Sequence, residues 1–215
     1  MNLKVLSMKT EQEYIRDLTE IRSMMERSTK FLSLTGWSGI MAGLYALAGA
    51  YIGYKLFYMN SDAAFYHPID ARQVSGNVLN FFLLALVVLV LAIGTAIFLS
   101  WRKSKKTGER IWNAASRRLL INLAIPLAAG GIFVLILFSK GMIGLIAPVT
   151  LLFYGLALLN AGKFTYEEVK YFGIIEIVLG LLASYFIGYG LLFWAFGFGI
   201  MHIVYGIYMH LKYEK

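Results

Sequence analysis

The stretch VLNFFLLALVVLVLAIGTAIFLS, residues 78–100, runs twenty-three positions without one charged side chain. Its backbone carbonyls and amides need partners. A helix supplies them internally, and at about 1.5 Å per residue some 20 residues cross the hydrocarbon of a bilayer. The stretch therefore predicts a membrane-spanning helix.

Working outward, five more apolar blocks obey the same rule: Phe31 to Tyr58, Leu119 to Phe138, Met142 to Asn160, Tyr171 to Ile187, and Leu191 to about Leu211. Polar or Gly-rich segments separate them, including Ser139-Lys140-Gly141 and Gly188-Tyr189-Gly190. The chain is 59% hydrophobic and only 15% charged, with mean hydropathy +0.67, well outside the composition of a water-soluble domain. The expected fold is all-α, a bundle of six transmembrane helices over residues 31–215.

Residues 1–30 differ. Ile15, Leu18, Ile21 and Met25 recur at three- and four-residue spacing among Glu, Asp, Arg and Lys, the stripe of an amphipathic helix. No apolar signal-peptide core precedes them, so no cleaved leader is expected. The segment predicts a cytoplasmic helix on or near the membrane surface.

Basic residues set the sidedness. Lys4, Lys9, Arg16, Arg22, Arg27 and Lys30 precede the first block, and seven more lie in the second loop from Arg102 to Arg118. Lys163, Lys170, Lys212 and Lys215 fall on the same side, against Lys55, Arg72 and Lys140 on the other. The positive-inside rule places both termini in the cytoplasm. The net charge of +8 is thereby explained beside the membrane, and nucleic-acid binding is not expected. Trp37, Trp101 and Trp112 read as interfacial anchors. With no cysteine there is no disulfide, thiolate metal site or cysteine nucleophile.

The informative polar residues are Glu176 and His202. They lie equally far on either side of Tyr189, where the fifth and sixth blocks turn back, so an antiparallel hairpin brings them to one depth. An ionisable group in hydrocarbon costs a few kcal/mol, about 3 on insertion scales, and normally faces protein or water. Gly173, Glu176, Gly180 and Ala183 share one helical face, and Ala195, Gly199, His202 and Gly206 share another; small residues at this spacing admit a second backbone. Asn122, four residues before a helix-opening Pro126, Asn160 at the end of the fourth block, and Tyr205 complete a candidate polar site at the cytoplasmic level. Its two readings are a ligand, ion or proton site and a hydrogen-bonded packing cluster. In the first block Gly36, Gly39, Gly43, Ala46, Ala50 and Gly53 line one face, for packing within the bundle or for a homo-oligomer. Asp62, His67 and Asp70 lack metal-ligand spacing. Ser100 and Lys103 match SxxK only across a membrane edge, and no HExxH, GxSxG or GKS/T motif is present, so neither an enzyme nor a cofactor is expected.

Two stretches carry a resemblance: Tyr154-Gly155-Leu156-Ala157 through Asn160, Lys163, Glu176-Ile177 and Gly180 to Gly188–Trp194 and His202, and Glu26-Arg27-Ser28 to Gly43. The chain resembles a group of uncharacterised small bacterial integral membrane proteins with six predicted spans. The resemblance implies a shared fold in the bacterial inner membrane and no activity. Two functions stay open: a regulatory or sensory membrane protein with a cytoplasmic protein partner on residues 1–30, and a small transporter or channel subunit using the Glu/His site.

Overall fold

A computed structural model describes residues 14–19, 30–58, 76–108 and 112–214. Among them the regular structure is entirely helical. Residues 14–19 are helical, with Ile15 and Leu18 both exposed. Ile21 and Met25, with the rest of the proposed stripe, lie outside the described residues, as does the loop holding Asp62, His67 and Asp70.

Five helices come first: α1 (Gly36–Tyr58), α2 (Gly76–Thr107), α3 (Ala114–Ser139), α4 (Ile146–Ala161) and α5 (Glu168–Tyr185). The last pass is composite: α6 (Gly190–Trp194), a π-helical stretch Ala195–Met201, and α7 (His202–Tyr213). Local chemistry sets the boundaries. Asn113 caps α3, its side chain accepting from the Ser116 amide while the Ser116 hydroxyl accepts from the Asn113 amide. Gly141, with φ at 71°, turns the chain after α3.

One expectation needs correction. The first helix begins at Gly36, and residues 31–35 form a non-helical strap whose backbone bonds are made to distant parts of the chain. Of the expected spans, four segments among the described residues are long and apolar enough to cross a membrane: Phe82–Lys106, Ala114–Ser139, Ile143–Phe164 and Ile187–Tyr213. The helices α1 and α5 are not among them; Glu168, Lys170 and Glu176 charge α5.

Contacts sort the helix ends into two groups. At one end Phe31, Ala115, Leu119 and Ala161 form a buried cluster joining the strap to the start of α3 and the end of α4. At the other, Phe82 near the start of α2 meets Phe138 at the end of α3, and Gly190 approaches Ala147. The helices therefore run alternately between the same two ends. The strap end carries Arg102, Lys103, Lys105, Lys106, Arg117, Arg118, Lys163, Lys170 and Lys212; Lys55 and Lys140 sit at the opposite helix ends.

Glycine seams hold the interior. A Cβ on Gly36 would collide with the Gly206 carbonyl oxygen, and one on Gly43 would lie 2.6 Å from that of Gly199. Likewise Gly155 and Gly173 meet so closely that a Cβ on either would come within 2.7 Å of the other's carbonyl oxygen. Only hydrogen fits there, so α1 is seated on the last pass and α5 on α4 backbone to backbone. The face of α1 read from its glycines thus packs within the bundle at Gly36, Gly39 and Gly43.

Candidate functional site

Glu176, midway along α5, has none of its surface exposed, and His202, the first residue of α7, has 7%. The hairpin brings them together as the spacing requires: His202 Nδ1 lies 3.9 Å from Glu176 Oε1. This is ion-pair range but longer than a hydrogen bond. The imidazole spends its nitrogens elsewhere. Nδ1 lies 3.1 Å from the Gly197 carbonyl oxygen and Nε2 lies 2.8 Å from the Tyr154 hydroxyl. A carbonyl only accepts, so Nδ1 carries the proton and donates; in the neutral ring Nε2 then accepts from Tyr154.

Glu176 is left over. Neither of its carboxyl oxygens has a hydrogen-bond partner among the described residues. A buried acid in that condition is rare and costly, about 1–3 kcal/mol or more. Aromatic rings wall the site: Phe198 and Tyr154 stack on the imidazole, and Phe172 meets it edge-on at 4.7 Å. Leu151, fully buried, and Gly197 close it from the other side. A Cβ on Gly197 would sit 2.6 Å from both Glu176 Oε2 and Leu151 Cδ2, so the carboxyl is housed in the space a side chain would fill.

The π-helical stretch explains why Gly197 was not foreseen. Helical periodicity of 3.6 assigns Ala195, Gly199, His202 and Gly206 to one face, but a π turn inserts a residue and rotates the helix beyond it. Gly199 and Gly206 instead face α1, against Leu47 and Ile40. Gly197 takes the place beside the acid. Its i–5 relation to His202 is the spacing of a π turn, which brings that carbonyl under the ring.

The other polar residues divide. Tyr205 extends the aromatic wall, its ring parallel to Phe172 at 4.7 Å. Asn122 and Asn160 form a separate bridge. Pro126 has no N–H to give the Asn122 carbonyl, and the Asn160 side-chain amide donates to that oxygen at 3.3 Å. The Asn122 side-chain amide donates to the Arg118 carbonyl at 2.8 Å. Asn160 thus repairs the gap Pro126 leaves in α3, and the Asn122 side chain is spent within that helix.

A second polar assembly, at the strap end, has no counterpart in the sequence pattern. The Phe31 amide donates to the Phe164 carbonyl, and the Thr165 hydroxyl to the Phe31 carbonyl, both at 2.7 Å. Tyr166 donates to the Leu32 carbonyl and Lys103 to that of Leu34, also at 2.7 Å. Glu214 accepts from the Gly36 amide at 2.9 Å, capping α1 from the far end of the chain. The same carboxylate binds His210 at 2.7 Å and approaches Lys103 at 3.6 Å. Beside it, Glu168 accepts from Tyr213 at 2.8 Å and pairs with Lys212. Burial pushes the Glu168 carboxyl up, but these two donors outweigh it and hold its pKa below the ordinary value. Sequence counted Lys103 only as a topological charge, and nothing marked Thr165, Tyr166 or Glu214, because contacts 134 to 178 residues apart leave no local pattern.

Among the described residues no group of three metal-ligating side chains occurs. Set against protein-family models, curated proteins and solved structures, the chain matches none.

Proposed function

We propose that this is a six-pass integral membrane protein of the regulatory or sensory kind, with both termini cytoplasmic and residues 1–30 as its output to a cytoplasmic partner. Four apolar helices support membrane residence. The remaining two passes complete the bundle: α5 turns Ile174, Val178 and Leu181 outward and Glu176 inward, so its lipid-facing side is apolar despite its charges. The basic residues at the strap end support its assignment to the cytoplasm. A bacterial inner membrane protein of the group the sequence resembles fits this topology.

The observation that carries the reading is the strap. Residues 31–36 are hydrogen-bonded by side chains or backbone from the end of α2, the α4–α5 connection and the C-terminus. Any rearrangement of those ends is delivered to the chain that leads into residues 1–30. The test is a comparison of cytoplasmic proteins retained by the full-length chain, by a form lacking residues 1–30, and by Thr165→Val. Specific capture by the first, lost in the second and weakened in the third, is the expected result; identical capture by all three removes the reading.

A small transporter or channel subunit is the second reading, favoured by the unpartnered Glu176 beside a titratable ring. Against it, the site is walled by Tyr154, Phe172 and Phe198. Flux through reconstituted protein that falls in Glu176→Gln would favour it.

A further inference from the structure

We propose that Glu176 and His202 form a two-position proton switch on the π-helical turn. In one position the imidazole Nδ1–H is given to the Gly197 carbonyl and holds the turn. In the other it is given to the Glu176 carboxylate and frees that carbonyl. The inference deepens the regulatory reading and rests on it for the consequence at the strap.

The geometry offers one donor and two acceptors. Nδ1 lies 3.1 Å from the Gly197 oxygen and 3.9 Å from Glu176 Oε1, so a small ring rotation or shift separates the two bonds. Protonation of Glu176 decides between them. As a carboxylic acid it carries its own O–H and makes no strong demand for a donor; as a carboxylate both oxygens require one. Loss of the Glu176 proton to solvent leaves a buried anion whose ion-pair partner among the described residues is His202. The imidazole then turns its Nδ1–H onto Oε1. No covalent bond changes except the Glu176 O–H, and its proton is taken up by water.

The surrounding groups suit such a switch. From α4, Tyr154 holds Nε2, the pivot about which the ring moves. From the last pass the titratable groups are His202 itself and, one turn on, Tyr205. On α5, Glu168 and Lys170 lie about two turns away, at the helix start. No Lys or Arg pairs with Glu176 among the described residues, so the imidazole is the donor within reach.

The consequence for the rest of the molecule lies in the two segments that the π turn separates. Ahead of it lies α6; after it, α7 carries Gly206 and His210 and is followed by Glu214, and these meet α1 and the strap. A π turn holds one residue more than an α turn. Releasing the Gly197 carbonyl lets the stretch relax toward α geometry and changes the register of α7, and with it the Glu214 cap on Gly36.

Full-length protein, ¹⁵N-labelled at histidine, is reconstituted in phosphatidylcholine–phosphatidylglycerol vesicles. Its imidazole spectra are recorded between pH 5 and 10, with His202 assigned by loss of its signals in His202→Gln. The expected result is a pH-dependent shift of the His202 Nδ1 resonance by several parts per million in wild type. In Glu176→Gln that shift is absent. Hydrogen exchange of the 195–202 amides, corrected for the intrinsic pH dependence, changes with the same midpoint. A His202 signal unmoved by pH in wild type, or one that moves equally in Glu176→Gln, overturns the switch. Should Glu176→Gln not fold, Glu176→Asp replaces it: its shorter acid displaces the midpoint, and an unchanged midpoint overturns the proposal. Neither readout needs a partner protein, so failure of the partner-capture test leaves the switch standing and removes only its proposed output.

Discussion

Two glutamates define the two ends of what this fold does with an acid. Glu214, at the strap end, accepts from a helix N-terminus and from His210 and faces Lys103. Glu176, in the middle of the bundle, is more deeply buried and has no hydrogen bond among the described residues. The first is a fastener, because a carboxylate with charge-assisted donors at a helix N-terminus is in a favourable state. The second is held against its own preference by glycine seams, since α5 cannot withdraw from α4 while Gly155 and Gly173 are in backbone contact. Satisfied polar groups fix a structure. An unsatisfied one is a place where a change of protonation alters the balance.

Replacing each acid tests that contrast directly, and the larger effect belongs to Glu214. Glu214→Ala removes the cap of α1 and leaves the Gly36 amide and His210 without their partner. Loss of a cap costs about 1 kcal/mol, and loss of a hydrogen bond to a charged group about 1.5–3 kcal/mol. A destabilisation of about 2–4 kcal/mol is expected, since the two overlap. Thermal unfolding in detergent micelles measures it, and an unchanged midpoint would show that the cap contributes nothing.

Glu176→Met should change stability with the opposite sign. Methionine is unbranched and adapts to the space beside Gly197 and Leu151, and it removes a buried acid that lacks a donor. A buried polar group without a hydrogen-bond partner costs about 1–3 kcal/mol, and an apolar side chain of similar volume does not carry that cost. The same unfolding measurement should therefore give a higher midpoint, while the pH-dependent shift at His202 disappears. If Glu176→Met and Glu214→Ala destabilise alike, the distinction between fastener and switch is lost.

Legibility in the sequence tracks the range of the interactions. Apolar blocks announced the helices because a membrane-compatible helix is a local property of composition. The pairing of Glu176 with His202 was legible because a tight turn at Gly188-Tyr189-Gly190 makes depth a matter of counting. The residues that share the face of His202 were not, since the π turn at Ala195–Met201 breaks the periodicity on which face assignment depends. Nor was the role of Asn160, which acts on a carbonyl that Pro126 frees on another helix. The strap lay beyond reach for a different reason. Its fasteners, Lys103, Thr165, Tyr166 and Glu214, are ordinary polar residues that only tertiary structure gathers on residues 31–36.

The smallest expected effect concerns the third acid. Glu168, like Glu214, is held by donors, here Lys212 and Tyr213, and its carboxyl titrates below the ordinary value. A group whose folded-state pKa is depressed contributes stability at pH above its unfolded value and loses that contribution as pH falls through the folded one. The strap end should therefore be indifferent to Glu168 protonation near neutrality and weaken as the medium is acidified past the ordinary carboxylate range. In Glu168→Gln that part of the acid dependence should be absent, with a modest loss of stability at neutral pH because Lys212 is at the surface, where ion pairs contribute little. Unfolding midpoints at pH 7 and at about pH 3, below the ordinary carboxylate range, for wild type and Glu168→Gln make the comparison. The two curves should converge on acidification, because protonation gives the wild-type residue the same neutral side chain. Curves that stay parallel would assign the acid sensitivity of this end to another carboxylate, and Glu214, with His210 and Lys103 around it, is the one to replace next.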